Sequence, residues 1–175
     1  MKMERTEQKE REFFDSVVCV RRVTKVTQGG KRFSFSALVV SGDRCGNIGV
    51  SQGKGREVSL AIAKATARAR KNMISISLRG TTIPYSVTGR HGASRVVMRS
   101  AYKGTGVIAG GAVRAVMDVL GVKDILAKSL GSSNQINVVK ATLNALAQLR
   151  SIQHIAALRS QSPAQIISGA HHAAE

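Results

Sequence analysis

Two glycine-rich stretches carry the spacings in this chain that could engage a phosphate. The first, Gly49-Val50-Ser51-Gln52-Gly53-Lys54-Gly55-Arg56, sets backbone amides, a lysine and an arginine just ahead of a segment with helical periodicity. Amides near a helix start, with cations beside them, favour an anion. It is not a nucleotide P-loop: only three residues separate Gly49 from Gly53, and Gly55 stands where Ser or Thr would hold magnesium. What survives is a seat for one phosphate of a polymer. The second stretch, Gly104-Thr105-Gly106-Val107-Ile108-Ala109, has the GxGxx[GA] spacing of dinucleotide sites, with Asp124 twenty residues later. It follows Tyr102-Lys103 rather than a buried strand, in a chain too short for a full doubly wound sheet.

Other chemistry finds few groups. There is no paired-carboxylate motif, no HExxH and no GxSxG. His91, in Arg90-His91-Gly92-Ala93-Ser94-Arg95, has no acid nearby in sequence to orient it and reads as part of an RNA-contacting loop. Cys19 and Cys45 show no CxxC spacing and are expected as small buried hydrophobes. His154, His171 and His172 lie among small residues in a segment expected to be a mobile tail rather than a metal site. No catalytic residue, metal or cofactor is expected.

The charge is more informative. The formal net charge is +17, and residues 16 to 150 carry 22 Lys or Arg against Asp43, Glu57, Asp118 and Asp124 alone. Five of the ten acids (Glu4, Glu7, Glu10, Glu12 and Asp15) sit in the first 15 residues. A body of nearly one sign is the footprint of a nucleic-acid binder, whose affinity comes chiefly from counterion release. No apolar run approaches the roughly 20 residues of a spanning helix, and the start resembles neither a signal nor a transit peptide. A cytoplasmic protein without a membrane partner is expected. Aromatics are 3% of residues, with Phe33 and Phe35 assigned to the core, so base stacking on a sheet fits poorly.

The elements that would position these residues follow from periodicity. Val17 to Val26 reads as a strand, Thr27-Gln28-Gly29-Gly30 as a hairpin turn flanked by Lys25, Lys31 and Arg32, and Arg32 to Val40 as the returning strand. Alternation there sends Phe33, Phe35, Ala37 and Val39 to a core face and Ser34 and Ser36 away from it. Asn47 to Gln52 makes a third strand. From Glu57 the period lengthens into a helix, with Val58, Ile62, Ala65 and Ala69 on one stripe and Lys64, Arg68 and Lys71 on another. The second half reads as strands Met73 to Leu78, Thr82 to Val87 and Ser94 to Met98. A helix with Val113, Val116, Met117 and Leu120 facing inward then ends at Gly121. A strand within Val122 to Leu130 follows, then a helix capped by Asn137 with Val139, Leu143 and Leu146 inside, and a short helix from Pro163.

Long signatures in this order resemble the bacterial small-subunit ribosomal protein five family over about residues 16 to 150. The first runs through Gly30-Lys31, Phe35, Ala37, Val40, Gly42-Asp43, Gly46, Ile48-Gly49 and Gly53-Lys54, ending at Arg56-Glu57-Val58. The second runs through Gly104-Thr105-Gly106, Gly110-Gly111, Arg114-Ala115-Val116, Ala127-Lys128, Gly131-Ser132, Asn137-Val138-Val139 and Ala141-Thr142. Gln135 and Ser59 stand where the family often has proline, and the tail after Arg150 resembles it poorly.

The resemblance implies an α+β protein. A mobile arm (1 to 15) precedes a double-stranded-RNA-binding-like β-β-β-α domain (16 to 72), a C-terminal α/β domain (73 to 150) of the family's second-domain type, and a tail (151 to 175). It implies a structural constituent of the small ribosomal subunit that binds its rRNA, bridges body and head, and contributes to translational accuracy. Small-subunit proteins four and eight would be neighbours, and the path by which messenger enters would lie close. The hairpin Lys25 to Arg32 would be an rRNA-contacting loop near the spectinomycin region, and Gly106 and Arg114 would lie near the interface with protein four. Lys25, Gly29, Gly30, Lys31, Arg32, Lys54, Arg56, Arg90, Arg95 and Arg99 are the expected RNA-binding residues. Two other classes remain open: a non-ribosomal RNA-processing subunit, and a nucleotide-binding enzyme using the Gly104 loop.

Overall fold

A computed structural model describes residues 12–168. Most of the expected arm, and His171 and His172, lie outside the described residues. The chain folds as two compact units: residues up to 75 together with 111–122, and 76–110 together with 123 onward.

In the first unit, β1 (Phe14–Thr27), β2 (Gly30–Gly42), β3 (Asn47–Gly55) and β4 (Met73–Ser75) form one sheet in that order, each strand antiparallel to the next. Helix α1 (Val58–Lys71) covers one face through Ala61, Ala65 and Ala69, all fully buried. Opposite this alanine stripe the strand carries Gly53 and Gly49. A Cβ on Gly53 would collide with the Ala61 carbonyl oxygen, and one on Gly49 with that of Ala69. These glycines let helix backbone rest almost directly on strand backbone, so their role is close packing rather than the approach of a phosphate.

The sequence reading gave this sheet one buried face, but it has two. Phe35, Ala37 and Val39 pack toward α1, while Leu38 and Val40 on the opposite side are also buried. Helix α2 (Gly111–Leu120) covers that second face: a Cβ on Gly42 would meet the Val119 carbonyl oxygen and side chain as well as the Asn47 carbonyl oxygen, and Gly42 follows Leu38 and Val40 in the alternation. Residues 111–122, expected within the C-terminal domain, thus complete the core of the first unit. The β2–β3 turn holds the end of α2. Arg44 N–H donates to Val119 O at 3.1 Å and Gly46 N–H to Leu120 O at 3.3 Å, satisfying carbonyls that a helix end leaves open. Gly121, at φ +93°, passes so close under the Arg44 carbonyl that no Cβ fits, ending α2 where the sequence placed its stop.

In the second unit, β5 (Val87–His91), β6 (Ser94–Ser100), β7 (Val107–Ile108) and β8 (Ile125–Gly131) form a sheet in the order β5-β6-β8-β7, with β7 parallel to β8. Helix α3 (Gln135–Ala147) lies on one face, its Ala141 and Ala145 against Gly89. Val96, Met98 and Ile125 are buried in this unit, and Ile83 joins them as a core residue. Helices α4 (Ile152–Arg159) and α5 (Pro163–Ser168) follow; α5 starts at the expected proline, and α4, capped by the Ser151 hydroxyl, had no clear periodicity to announce it.

Several local expectations need correction. The strand expected over Met73 to Leu78 stops at Ser75, and that over Thr82 to Val87 is a bridge between Arg79 and Thr82, with β5 starting only at Val87. Asn134, not Asn137, occupies the N-cap of α3. Gln135 is therefore the first helical residue, where a proline's missing N–H costs nothing, which explains the family's preference there. Phe33 is 51% exposed because β3 ends opposite Phe35, so nothing covers the hairpin beyond that point. Cys45 is exposed in the β2–β3 turn, and Cys19 is half-buried; both are free.

Candidate nucleic-acid interface

The β1–β2 hairpin projects past the end of β3, carrying its pairing on from Arg22↔Phe35 to Thr27↔Gly30. At its tip Gln28 and Gly29 make the turn, Gly30 takes φ +114°, and the Thr27 hydroxyl donates to Gly30 O at 3.0 Å. Lys25 and Arg32 are direct cross-strand partners, with Lys31 beside them, and all three are exposed. The Arg22 guanidinium lies 4.8 Å from the Phe33 ring centre, covering one face of that aromatic.

Lys54 and Arg56, at the end of β3 and the entry to α1, meet Lys25 and Lys64 around one open hollow. Gln52, Lys54, Lys64 and Arg68 line a second. The structure thus brings together Lys25, Lys54 and Arg56 and adds Lys64 and Arg68, which were not among the expected RNA-binding residues. Their signal was present in the sequence as the stripe Lys64, Arg68, Lys71.

In the second unit, Arg90 and Arg95 pair directly across β5 and β6. Arg95 and Arg99 share the strand face that alternates with buried Val96 and Met98, and Lys128 is paired with Val97 on that same face. One side of this sheet therefore packs on α3 while the other presents arginine and lysine. Lys128 was not among the expected RNA-binding residues; the sequence showed it only within a strand and within the second signature. Gly106 lies in the loop before β7, and Arg114 is exposed on α2. The first belongs to the second unit and the other to the first.

Among the described residues the one ion pair is Arg70 with Asp15, at 2.5 Å. Two of the body's few acids serve the fold instead of the surface. For Asp43, burial would raise the carboxyl pKa, but hydrogen bonds from the Asn47 side chain and from the Cys45 and Asn47 amides outweigh it and hold it below its ordinary value. Asp124 is buried, and its Oδ1 accepts from Gly104 N–H at 2.8 Å and Gly106 N–H at 3.1 Å. The Thr81 hydroxyl first, then the Gly106 amide, lower its pKa; burial opposes them, and the Gly104 and Thr105 amides add to the lowering. The amides a dinucleotide phosphate would require are thus already bound to an internal carboxylate.

The family descriptions that match divide the chain as the signatures do. Residues 13–77 match the ribosomal protein S5 N-terminal domain, and residues 89–159 match its C-terminal domain. This chain belongs to the ribosomal protein S5 family. A protein of Nitrosococcus oceani named small ribosomal subunit protein uS5 is 52% identical over 155 residues, 89% of this chain and 91% of that one. The protein of the same name from Chromohalobacter salexigens is 49% identical over 164 residues, covering 94% and 99% of the two chains. Membership assigns the N-terminal sheet-and-helix domain and the C-terminal α/β domain to the S5 fold. The match to the C-terminal domain reaches residue 159 and so includes α4, within the tail after Arg150 whose sequence resembles the family poorly.

Proposed function

We propose that this chain is a structural constituent of the small ribosomal subunit that binds the subunit's rRNA, fixes the geometry of head and body, and contributes to translational accuracy. The observation that carries the proposal is uncompensated charge: a chain of net charge +17 whose described residues hold a single ion pair. Self-repulsion of that size is relieved by a polyanion. S5 membership and relatives named for the small subunit support RNA within the ribosome, in the cytoplasm, as that polyanion.

In this reading Lys25, Gly29, Gly30, Lys31 and Arg32 on the hairpin, Lys54 and Arg56 beside α1, and Arg90, Arg95 and Arg99 on the second sheet contact rRNA. They neutralise phosphates and hold RNA elements in register with little reading of bases. Residues 16–72, with 111–122 packed on their sheet, act as the double-stranded-RNA-binding-like module and the rest of 73–150 as the C-terminal domain. Gly106 and Arg114 lie near small-subunit protein four, protein eight is a second neighbour, and the path of incoming messenger runs close by. The role is non-enzymatic and takes no cofactor, a reading supported by the occupation of the Gly104 loop by Asp124.

Sedimentation of a cell lysate at moderate salt tests the proposal. Stoichiometric migration with small subunits and whole ribosomes is expected. Migration with a different RNA, or none, would overturn it in favour of an RNA-processing subunit or a free protein.

A further inference from the structure

Tyr102 stands in the loop 101–106 that joins β6 to β7, and it is 92% exposed. The backbone beneath it is nonetheless tied down. The Tyr102 carbonyl accepts from the Thr105 amide at 3.1 Å and from the Thr105 hydroxyl at 2.7 Å, and Ala101 N–H donates to the Thr82 hydroxyl at 3.3 Å. Asp124 holds the Gly104 and Gly106 amides from below. Nothing lies within 4 Å of a Cβ placed on Gly104 or Gly106, so the outer side of the loop is open. The other tyrosine is the contrast: the Tyr85 hydroxyl donates to Gln148 O and accepts from Arg150 N–H, each at 3.0 Å, and the residue is 37% exposed. A ring that fills no core, carried on backbone already fixed, has little freedom left to lose when a ligand covers it.

We propose that Tyr102 is a stacking platform for one unpaired RNA base, with Lys103 on the adjoining phosphate. The proposal rests on the RNA-binding reading above and extends it to a site in the second unit and to unpaired nucleotides, whose bases are free to stack where those of a duplex are not. The local charge favours a polyanion: between Glu57 and Asp118 the chain has no acid, and Asp124, the carboxylate that reaches this loop, is buried. The residues beside the ring favour RNA over a protein. An aromatic anchor of a protein interface sits in a well-packed patch whose neighbours exclude water. Tyr102 is flanked instead by Ser100, Ala101, Lys103, Gly104 and Thr105, all small, polar or cationic. A lone ring beside a cation matches one base and its phosphate. Every base has a π-face, so such a platform holds a nucleotide without reading which base it is.

The test is binding of the full chain, across a salt series, to oligouridine and to an abasic ribose–phosphate strand of equal length and charge. Oligouridine is expected to bind tighter. Tyr102→Ala should weaken oligouridine about 5- to 150-fold at every salt concentration, leave the slope of log K against log salt unchanged, and leave the abasic strand unaffected. Tyr102→Phe should restore the affinity, whereas Lys103→Gln should lower the slope by about 0.7. The chain has no tryptophan and two tyrosines, so oligouridine should also quench a share of the tyrosine emission that the Tyr102→Phe variant lacks. Equal melting temperatures of parent and Tyr102→Ala would show that the loss is one of contact. Parent-like oligouridine affinity in Tyr102→Ala, with Lys31→Gln and Arg32→Gln still lowering the slope, would overturn the platform and leave RNA binding intact. The same result with Tyr102→Ala released early from small subunits would also overturn it and give the ring to a protein contact. Absence of salt-dependent binding to either strand by the parent would sink the RNA-binding reading itself.

Discussion

Replacing Gly53 with alanine tests how the first unit is built and how its basic flank is positioned. The new Cβ would overlap the Ala61 carbonyl oxygen and come within 2.7 Å of Ala65 N and 3.0 Å of Ala65 Cβ. The obstacles are helix backbone and a methyl group already at its minimum size, so no side chain can turn away. The helix must retreat, loosening Ala61 and Ala65 against Ala37 and Val39, all of them fully buried. Overpacking against backbone belongs at the upper end of the usual range, about 3 kcal/mol. For a chain of this size that lowers the melting temperature by roughly 6–12 °C. The assay is thermal melting of the RNA-free protein followed by circular dichroism. Gly29→Ala is the reference: nothing lies within 4 Å of that Cβ and its backbone is not left-handed, so a change below about 0.5 kcal/mol is expected. Because the displaced helix carries Lys64 and Arg68, Gly53→Ala should also weaken RNA binding while leaving every charge in place. A melting temperature within about 2 °C of the Gly29→Ala variant would refute the claim that α1 sits directly on β3.

Three further outcomes follow from the same structure. Asp124→Ala removes the acceptor of the Gly104 and Gly106 amides, so hydrogen exchange at those amides should quicken roughly tenfold; unchanged protection would show that the carboxylate does not hold the loop. Both Asp43 and Asp124 have folded pKa values below their ordinary 3.8, so their contribution is complete above that value and is lost as pH falls through the depressed values. Asp43→Asn should therefore be less stable than the parent at neutral pH and lose less stability as pH falls below 3.8, so that the two proteins converge in acid; a fall as steep as the parent's would contradict the linkage. A fragment of residues 12–77 lacks α2 and bares Leu38 and Val40, which at about 1.5–3 kcal/mol each is a large share of a small unit's stability. It should give poorly dispersed amide NMR spectra, recover on adding a peptide of residues 109–123, and refute the shared core if native dispersion appears without the peptide.

Much of the fold was legible because local signals agreed with it. Gly29-Gly30 between two alternating runs specified the hairpin, and Val113, Val116, Met117 and Leu120 marked a helix whose four residues are all buried. Where that helix packs was not legible. Periodicity shows that a face is buried but not against which sheet, and the run Ala37-Leu38-Val39-Val40 was the one hint that a second face needed cover. Gly49 and Gly53 misled for a related reason: glycine permits close approach, but the sequence does not say whether a phosphate or a helix approaches. At the interface, the loop cations stood out beside glycine, whereas Lys64, Arg68 and Lys128 lay within regular elements. A basic stripe on a helix or strand has the same pattern whether it faces water or RNA.

The most direct measurement of the central claim is retention of this protein on purified small subunits washed at increasing salt, comparing the parent with Lys31→Gln, Arg32→Gln, Lys54→Gln and Arg56→Gln combined. The parent should remain at one copy per subunit, and the variant should be released at distinctly lower salt because four phosphate contacts are gone. Equal retention of the two proteins, or a parent that never associates with the subunit, would contradict the account.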